Sequence, residues 1–115
     1  MARVSMGTVT SIAANATNAN VMTGQIYERL PADALLWLGV TQSATGLLVD
    51  FLVGGVNMLQ AFAPSLQNRT PQYPQDYPLR GTEGHENAQL ILRVVNTTAG
   101  ALSLFWLVEL EEVPE

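Results

Sequence analysis

The last third of the chain alternates apolar and other residues in the way that a β-strand does. Between positions 102 and 110 every even residue is large and apolar, and residues 90, 92 and 94 form a second such row. Successive side chains of a strand point to opposite faces, so each segment sends one apolar row towards a core. The residues 96–100 lie between the two segments and end in glycine. We therefore expect 88–110 to form one β-hairpin.

The middle of the chain contains a second predicted hairpin. Segments 47–53 and 56–62 have the length and alternation of strands, and only Gly54 and Gly55 separate them. Glycine adopts positive φ without steric cost, which suits a two-residue turn between antiparallel strands.

Segment 34–41 is almost entirely apolar, which favours a central strand of a sheet. A short helix capped by Asp33 is the alternative, but the run is short and Gly39 interrupts it. The small, polar residues 13–20 predict a loop. The remaining predicted strands are 1–14, which is loose and arm-like, 21–30 and 79–82.

Residues 64–84 form the one long segment without a regular pattern. Pro71, Pro74 and Pro78 exclude a helix or a central strand there. Long ordered loops in compact domains often carry function, so this loop is the first place to look for a site.

Seven or eight short strands with turns between them predict an all-β protein. We expect a single-domain antiparallel β-sandwich of jelly-roll type. The 115 residues are enough for one such domain. Within it, residues 1–20 are expected to be an N-terminal arm and first strand, and residues 21–115 the sandwich.

The composition favours a protein that forms contacts with other protein chains. Only 13% of the residues are charged, against 48% hydrophobic. A small domain with so few charges exposes much uncharged surface, which favours a homo-oligomer. The net charge is −5 and all five basic residues are arginine, the cation that protein interfaces prefer. An acidic chain of this kind is not expected to bind nucleic acid.

We expect neither a signal peptide nor a membrane span. The first residues lack an apolar core, and Asp50 with several polar residues interrupts the most apolar stretch, 34–62.

The sequence gives little support for catalysis. The only histidine, His85, has Glu83 and Glu86 beside it and is the one candidate metal ligand or catalytic base. The chain has no cysteine and no nucleophile motif, so we predict no enzyme, no catalytic residues, no cofactor and no metal site.

The proline-containing loop supports two interpretations. Tyr73, Tyr77 and Asp76, with Asn68 and Gln72, could anchor a rigid protein interface. The same residues, joined by Trp37, could instead stack on and hydrogen-bond a sugar, which makes a carbohydrate-binding β-sandwich module the alternative function.

The order of elements resembles small jelly-roll virion proteins of bacteriophages, the capsid decoration (cement) and minor capsid class. The resemblance rests on the loop 71–76, the strand that ends in 93–98 and a last strand rich in Trp and Leu. It implies a non-enzymatic subunit, a trimer by preference, which is made in the host cytoplasm and binds the capsid protein on the virion surface. The candidate contact residues are Arg3, Arg69, Tyr73, Asp76 and Tyr77.

Overall fold

The computed structural model describes residues 3–25, 28–67, 69–73 and 75–112, with the backbone alone at residues 3, 4 and 112. The described residues form β-strands and no α-helix, and none of them lies in a helix long and apolar enough to cross a membrane. The strands are β1 (Arg3–Ile12), β2 (Thr17–Asn18), β3 (Ala34–Gln42), β4 (Leu47–Val53), β5 (Val56–Phe62), β6 (Ser65–Leu66), β7 (Leu79–Gly84), β8 (Leu90–Asn96) and β9 (Leu102–Glu112).

The strands form two sheets, which confirms the predicted sandwich. Sheet 1 has the order β1-β9-β3, with β7 and then the short β6 pairing along the far side of β3, and sheet 2 has the order β2-β8-β4-β5. Apart from the parallel contact of β6, all the pairings are antiparallel. Without β6, these are the two four-stranded sheets of a jelly roll.

The jelly roll is a long antiparallel ribbon folded over on itself. Four nested pairs, β1 with β9, β2 with β8, β3 with β7 and β4 with β5, surround one central turn. That turn is Gly54-Gly55, with φ values of 58° and 85° that side chains disfavour. The predicted hairpin 47–62 is therefore confirmed.

The core lies between the inner faces of the two sheets, and the predicted alternation selects it correctly. The even residues of β9 from 104 to 110, the even residues of β8 and the odd residues of β4 are all buried. Trp106 and Phe51 are the largest fully buried side chains. Each row is the apolar row that the period of two predicts.

The predicted hairpin 88–110 is wrong, because its two arms lie in different sheets. β8 pairs with β2 and β4, whereas β9 pairs with β1 and β3. The buried Asn96 shapes the crossing: its Nδ2 donates to the Ile12 carbonyl at 3.1 Å and its Oδ1 accepts from Thr98 N at 2.9 Å. An apolar row on each arm suits two facing sheets as well as two neighbouring strands.

The predicted strand 21–30 is also wrong in its described part, since residues 21–24 form turns; Ile26 and Tyr27 lie outside the described residues. Asn20 holds this segment against β8, because its Oδ1 accepts from Met22 N at 3.0 Å and from Leu92 N at 3.1 Å. The strand that pairs here is β2, in the predicted loop 13–20. Asn20 does not act alone, because Val21 N donates to the Leu92 carbonyl at 2.9 Å. Side-chain and isolated backbone hydrogen bonds thus take the place of a continuous ladder.

The first strand belongs to the sandwich. β1 pairs with β9 through ten consecutive residues, and its Met6 and Ile12 side chains are buried in the core. The segment 1–20 therefore contributes β1 and β2 to the two sheets. Residues 1 and 2 lie outside the described residues.

Candidate interaction surface

The proline loop, residues 67–78, folds around the carboxylate of Asp76. This side chain is only 3% exposed. Its Oδ2 accepts from Gln72 N at 2.9 Å and from Arg69 Nη2 at 3.0 Å, and Asp76 N donates back to the Gln72 carbonyl at 3.0 Å. One buried carboxylate thus joins both ends of the loop. Asn68 and Pro74 lie outside the described residues.

The loop is tied to the edge of β3. The carbonyl of Asp76 accepts from Val40 N at 3.1 Å, and the Thr41 hydroxyl donates to the Arg69 carbonyl. The loop thus satisfies Val40 N, a backbone donor of β3 beyond its last pair with β7. The loop therefore continues the sheet where the regular pairing of β3 with β7 ends.

Gly39 allows the loop to lie close to the outer face of sheet 1. A Cβ at this position would come 2.6 Å from Cε1 of Tyr77 and 2.8 Å from Cβ of Pro71. Tyr77 is 4% exposed and Pro71 is also buried. The two rings fill the space that a side chain at residue 39 would occupy.

Tyr73 is the exposed tip of this arrangement. It is 58% exposed, and its ring meets the Tyr77 ring edge-on, with the centroids 5.2 Å apart and the planes at 80°. Edge-to-face contact is a favoured aromatic geometry. A buried tyrosine therefore fixes the orientation of an exposed one.

A shallow apolar groove lies between the loop and β1. Its volume is about 200 Å³, and Val9, Phe105, Leu107, Thr70 and Pro71 contribute to its walls and floor. Ligand pockets for small molecules usually exceed about 300 Å³. The groove has room for one or two side chains of a partner.

The outer face of sheet 2 is a second apolar surface. Leu48 lies opposite Val95, and Leu52 lies opposite Ile91. All four side chains are half-buried and point away from the core. Outward positions of a sandwich are usually polar, so this face differs from that of an ordinary monomeric domain.

An ion pair lies at the centre of this second face. Asp50 and Arg93 are directly opposite in the register of β4 and β8, and Oδ2 of Asp50 accepts from Nη2 of Arg93 at 2.7 Å. Oδ1 of Asp50 accepts from Ala61 N at 2.7 Å. The hydrogen bond from Ala61 and the charge of Arg93 hold the pKa of Asp50 below its usual value, against the opposing effect of burial.

The residues around His85 lie at one end of the sandwich and are open to solvent. Nδ1 of His85 is 3.9 Å from Oδ1 of Asp33, and these side chains are 86% and 63% exposed. Within the described ranges, no group of three His, Cys, Asp or Glu side chains has the geometry to hold a metal ion. Glu83 and Glu86 do not complete such a group with His85.

The structure brings four of the five candidate contact residues together. Arg69, Tyr73, Asp76 and Tyr77 belong to the proline loop, but Asp76 and Tyr77 are buried and support it from below. Arg3 lies in register with Glu111, six residues along β1 from the Val9 that borders the groove. Its side chain lies outside the described part.

Sequence reasoning missed the outer face of sheet 2 as a candidate surface. A signal was present, because residues 48, 52, 91 and 95 are apolar at positions of the outward parity. Trp37 lies on the outer face of β3 and is half-buried beside Gly81.

Comparisons with protein-family models, with curated proteins and with solved structures give no match to this chain.

Proposed function

We propose that this protein is a non-enzymatic structural subunit of a virion, a decoration (cement) or minor capsid protein that self-associates and binds the capsid shell. The observation that carries the proposal is that both sheets turn apolar side chains outward as well as inward. A single sandwich needs only its inner faces apolar. Two apolar outer faces suit a subunit that is in contact with other proteins on several sides.

The electrostatics support the same role. The outer face of sheet 2 is apolar around one matched pair of charges, Asp50 and Arg93, so it can be covered without leaving a charge unpaired. Interfaces are depleted of lysine and enriched in arginine, and the chain contains no lysine.

The proline loop supplies the polar part of the contact surface. Tyr73 and the side chain of Arg69, which is 35% exposed, remain accessible while Asp76 and Tyr77 hold them in place. Tyrosine and arginine on a rigid support are typical interface anchors. In this role the loop meets the capsid protein on the outside of the virion.

Density-gradient fractionation of virus particles, prepared from a culture in which this protein is made, tests the proposal. An antiserum against the protein should detect it in the fractions that contain the capsid protein, and the signal should persist after a second banding. Recovery of the protein only at the top of the gradient, apart from all particles, would overturn the proposal.

A carbohydrate-binding module is the second candidate, and the exposed ring of Tyr73 favours it. Aromatic side chains with convergent polar groups are a common feature of sugar sites. Titration with the glycans selected by an array should then give binding that Tyr73→Ala removes, and the protein should stay free of particles in the gradient. Absence of glycan binding by the wild-type chain counts against this candidate.

A further inference from the structure

The four edges of the two sheets differ in how they are protected from pairing with another strand. An edge strand carries unpaired backbone donors and acceptors, and proteins shield it with short length, bulges or charges. β2 has only two residues. β5 has two register shifts against β4 and a positive φ of 50° at Ala61. β7 is bulged against β3, and it contains Arg80 and Glu83.

From Val4 onward, β1 has none of these protections. It runs for ten residues in unbroken register with β9, a length of about 33 Å. Its sequence contains no charged residue and no proline from Val4 to Ile12. Among the residues that the structure describes, β9 is the one strand with which β1 pairs, so its other side is an open edge.

The sandwich is also open beside this edge. Thr8 lies opposite the buried Trp106, so it points to the inner side, yet it is exposed. In the other sheet β1 contacts β8, and the edge strand beyond β8 is the two-residue β2, which leaves the inner side of β1 partly uncovered. Met6, also on β1, is 8% exposed, whereas Trp106 on the neighbouring strand is 1% exposed.

We propose that β1 is a self-association edge, at which the β1 strands of two copies pair antiparallel about a two-fold axis and join their first sheets into one. A second copy is the occupant because the segment is neutral in a chain of net charge −5, so pairing here brings no like charges into contact. Antiparallel pairing places the two Arg3 residues at opposite ends of the new ladder, whereas parallel pairing would bring them together. The contact is isologous and closes at two copies.

The β1 edge is the contact through which the proposed subunit would self-associate. It rests on the self-association in the proposed function and not on the binding to particles. It gives a dimer, where the resemblance to decoration proteins implies a trimer. Light scattering after size exclusion should give twice the monomer mass of 12.4 kDa.

A matched pair of substitutions tests the edge. Val9 on β1 is 52% exposed and Val56 on the protected β5 is 58% exposed. Val9→Lys should raise the dissociation constant of the dimer about tenfold or more, because the two-fold symmetry adds two like charges to a ladder that has none from Val4 to Ile12. Val56→Lys should change it less than about twofold. Both variants reduce the net negative charge by one. If only the general repulsion between copies mattered, both variants would therefore associate more tightly than the wild type.

Hydrogen exchange of the wild-type protein gives a second measurement, which needs no folded variant. The amides on the open side of β1 should become protected as the protein concentration rises through the dissociation constant. A trimer, an equal response to Val9→Lys and Val56→Lys, or fast exchange of these amides in the assembled protein would each overturn the edge contact. Co-sedimentation with particles would still stand in those cases, so the two proposals fail separately.

Discussion

The outer faces of both sheets carry apolar side chains, but the rest of the described chain covers the two faces to different extents. On sheet 1, the proline loop of the same chain covers Gly39 and Thr41, and both residues are buried. On sheet 2, the described chain supplies no such cover, and Leu48, Leu52, Ile91 and Val95 remain half-buried around an ion pair. An apolar sheet face can be covered by the chain itself or left for a partner.

Each face contains one aspartate that pairs with an arginine, and the two pairs have different structural roles. Asp76 is 3% exposed and pairs with Arg69, seven residues before it, so it fixes a loop. Asp50 on β4 is 16% exposed and pairs with Arg93 on the neighbouring strand β8. Asp76 accepts two hydrogen bonds and Asp50 accepts three, but the donors around the more buried Asp76 are less able to bond to water when the carboxylate is removed. The loop face should therefore be the more sensitive of the two.

The largest effect should come from filling the space under the loop. Gly39→Ala should lower the free energy of unfolding by about 3 kcal/mol, because the new Cβ overlaps the buried rings of Tyr77 and Pro71. Urea unfolding followed by tryptophan fluorescence measures this. Gly100→Ala is the matched control, since no atom lies within 4 Å of its new Cβ. Equal stability of the two variants would show that the loop does not rest on Gly39.

The next effect should come from the carboxylate inside the loop. Asp76→Ala should cost about 2 kcal/mol, because Gln72 N and the Arg69 guanidinium lose a charged acceptor. Limited proteolysis should then cleave the proline loop faster than in the wild-type chain. Gln75→Ala, an exposed neighbour, should change neither measurement; a similar response from both variants would contradict the role of Asp76.

A smaller effect on stability should come from the ion pair on the outer face of sheet 2. Asp50→Asn should cost about 1 kcal/mol at neutral pH, since it removes the charge opposite Arg93 but keeps an acceptor for Ala61 N. The pKa of Asp50 is lower in the folded than in the unfolded chain. Its contribution to stability is therefore fully present above its ordinary pKa of 3.8 and is lost as the pH falls through the folded pKa.

The measurement is the difference in unfolding free energy between wild type and Asp50→Asn from pH 7 to pH 3. It should be constant down to about pH 4 and should shrink below that. A double-mutant cycle with Arg93→Gln isolates the pair itself. A difference that grows on acidification would mean that the carboxylate is not stabilised by these contacts.

The sequence was sufficient to identify the rows of the core but not the partner of each strand. The alternation in β4, β8 and β9 identifies which side chains face inward, because that depends on the strand alone. Whether β8 and β9 pair or face one another depends on the crossing at Asn96, whose buried side chain bonds to β1 some 84 residues away. A local pattern does not contain that contact.

The candidate surface was predictable in the same partial way. Prolines and tyrosines identified the loop, but the burial of Tyr77 depends on the space above Gly39, which lies far from Tyr77 in the sequence. The exposed parts, Tyr73 and Arg69, could be separated from the buried parts only after β3 was placed beneath them. The outward apolar residues of sheet 2 were visible in the sequence once their parity was known.

The smallest effect on stability should come from Tyr73, whose ring is 58% exposed. Tyr73→Ala should cost about 0.5 kcal/mol, because it loses only the edge contact with Tyr77. Its effect on association should be larger, since an exposed aromatic side chain on a fixed support contributes most when a partner covers it. The measurement is retention of the variant on gradient-banded particles, with Val56→Ala as a control of equal exposure. Normal retention of Tyr73→Ala would move the capsid contact away from the loop and towards the bare face of sheet 2, where the apolar residues around Asp50 and Arg93 remain to be covered.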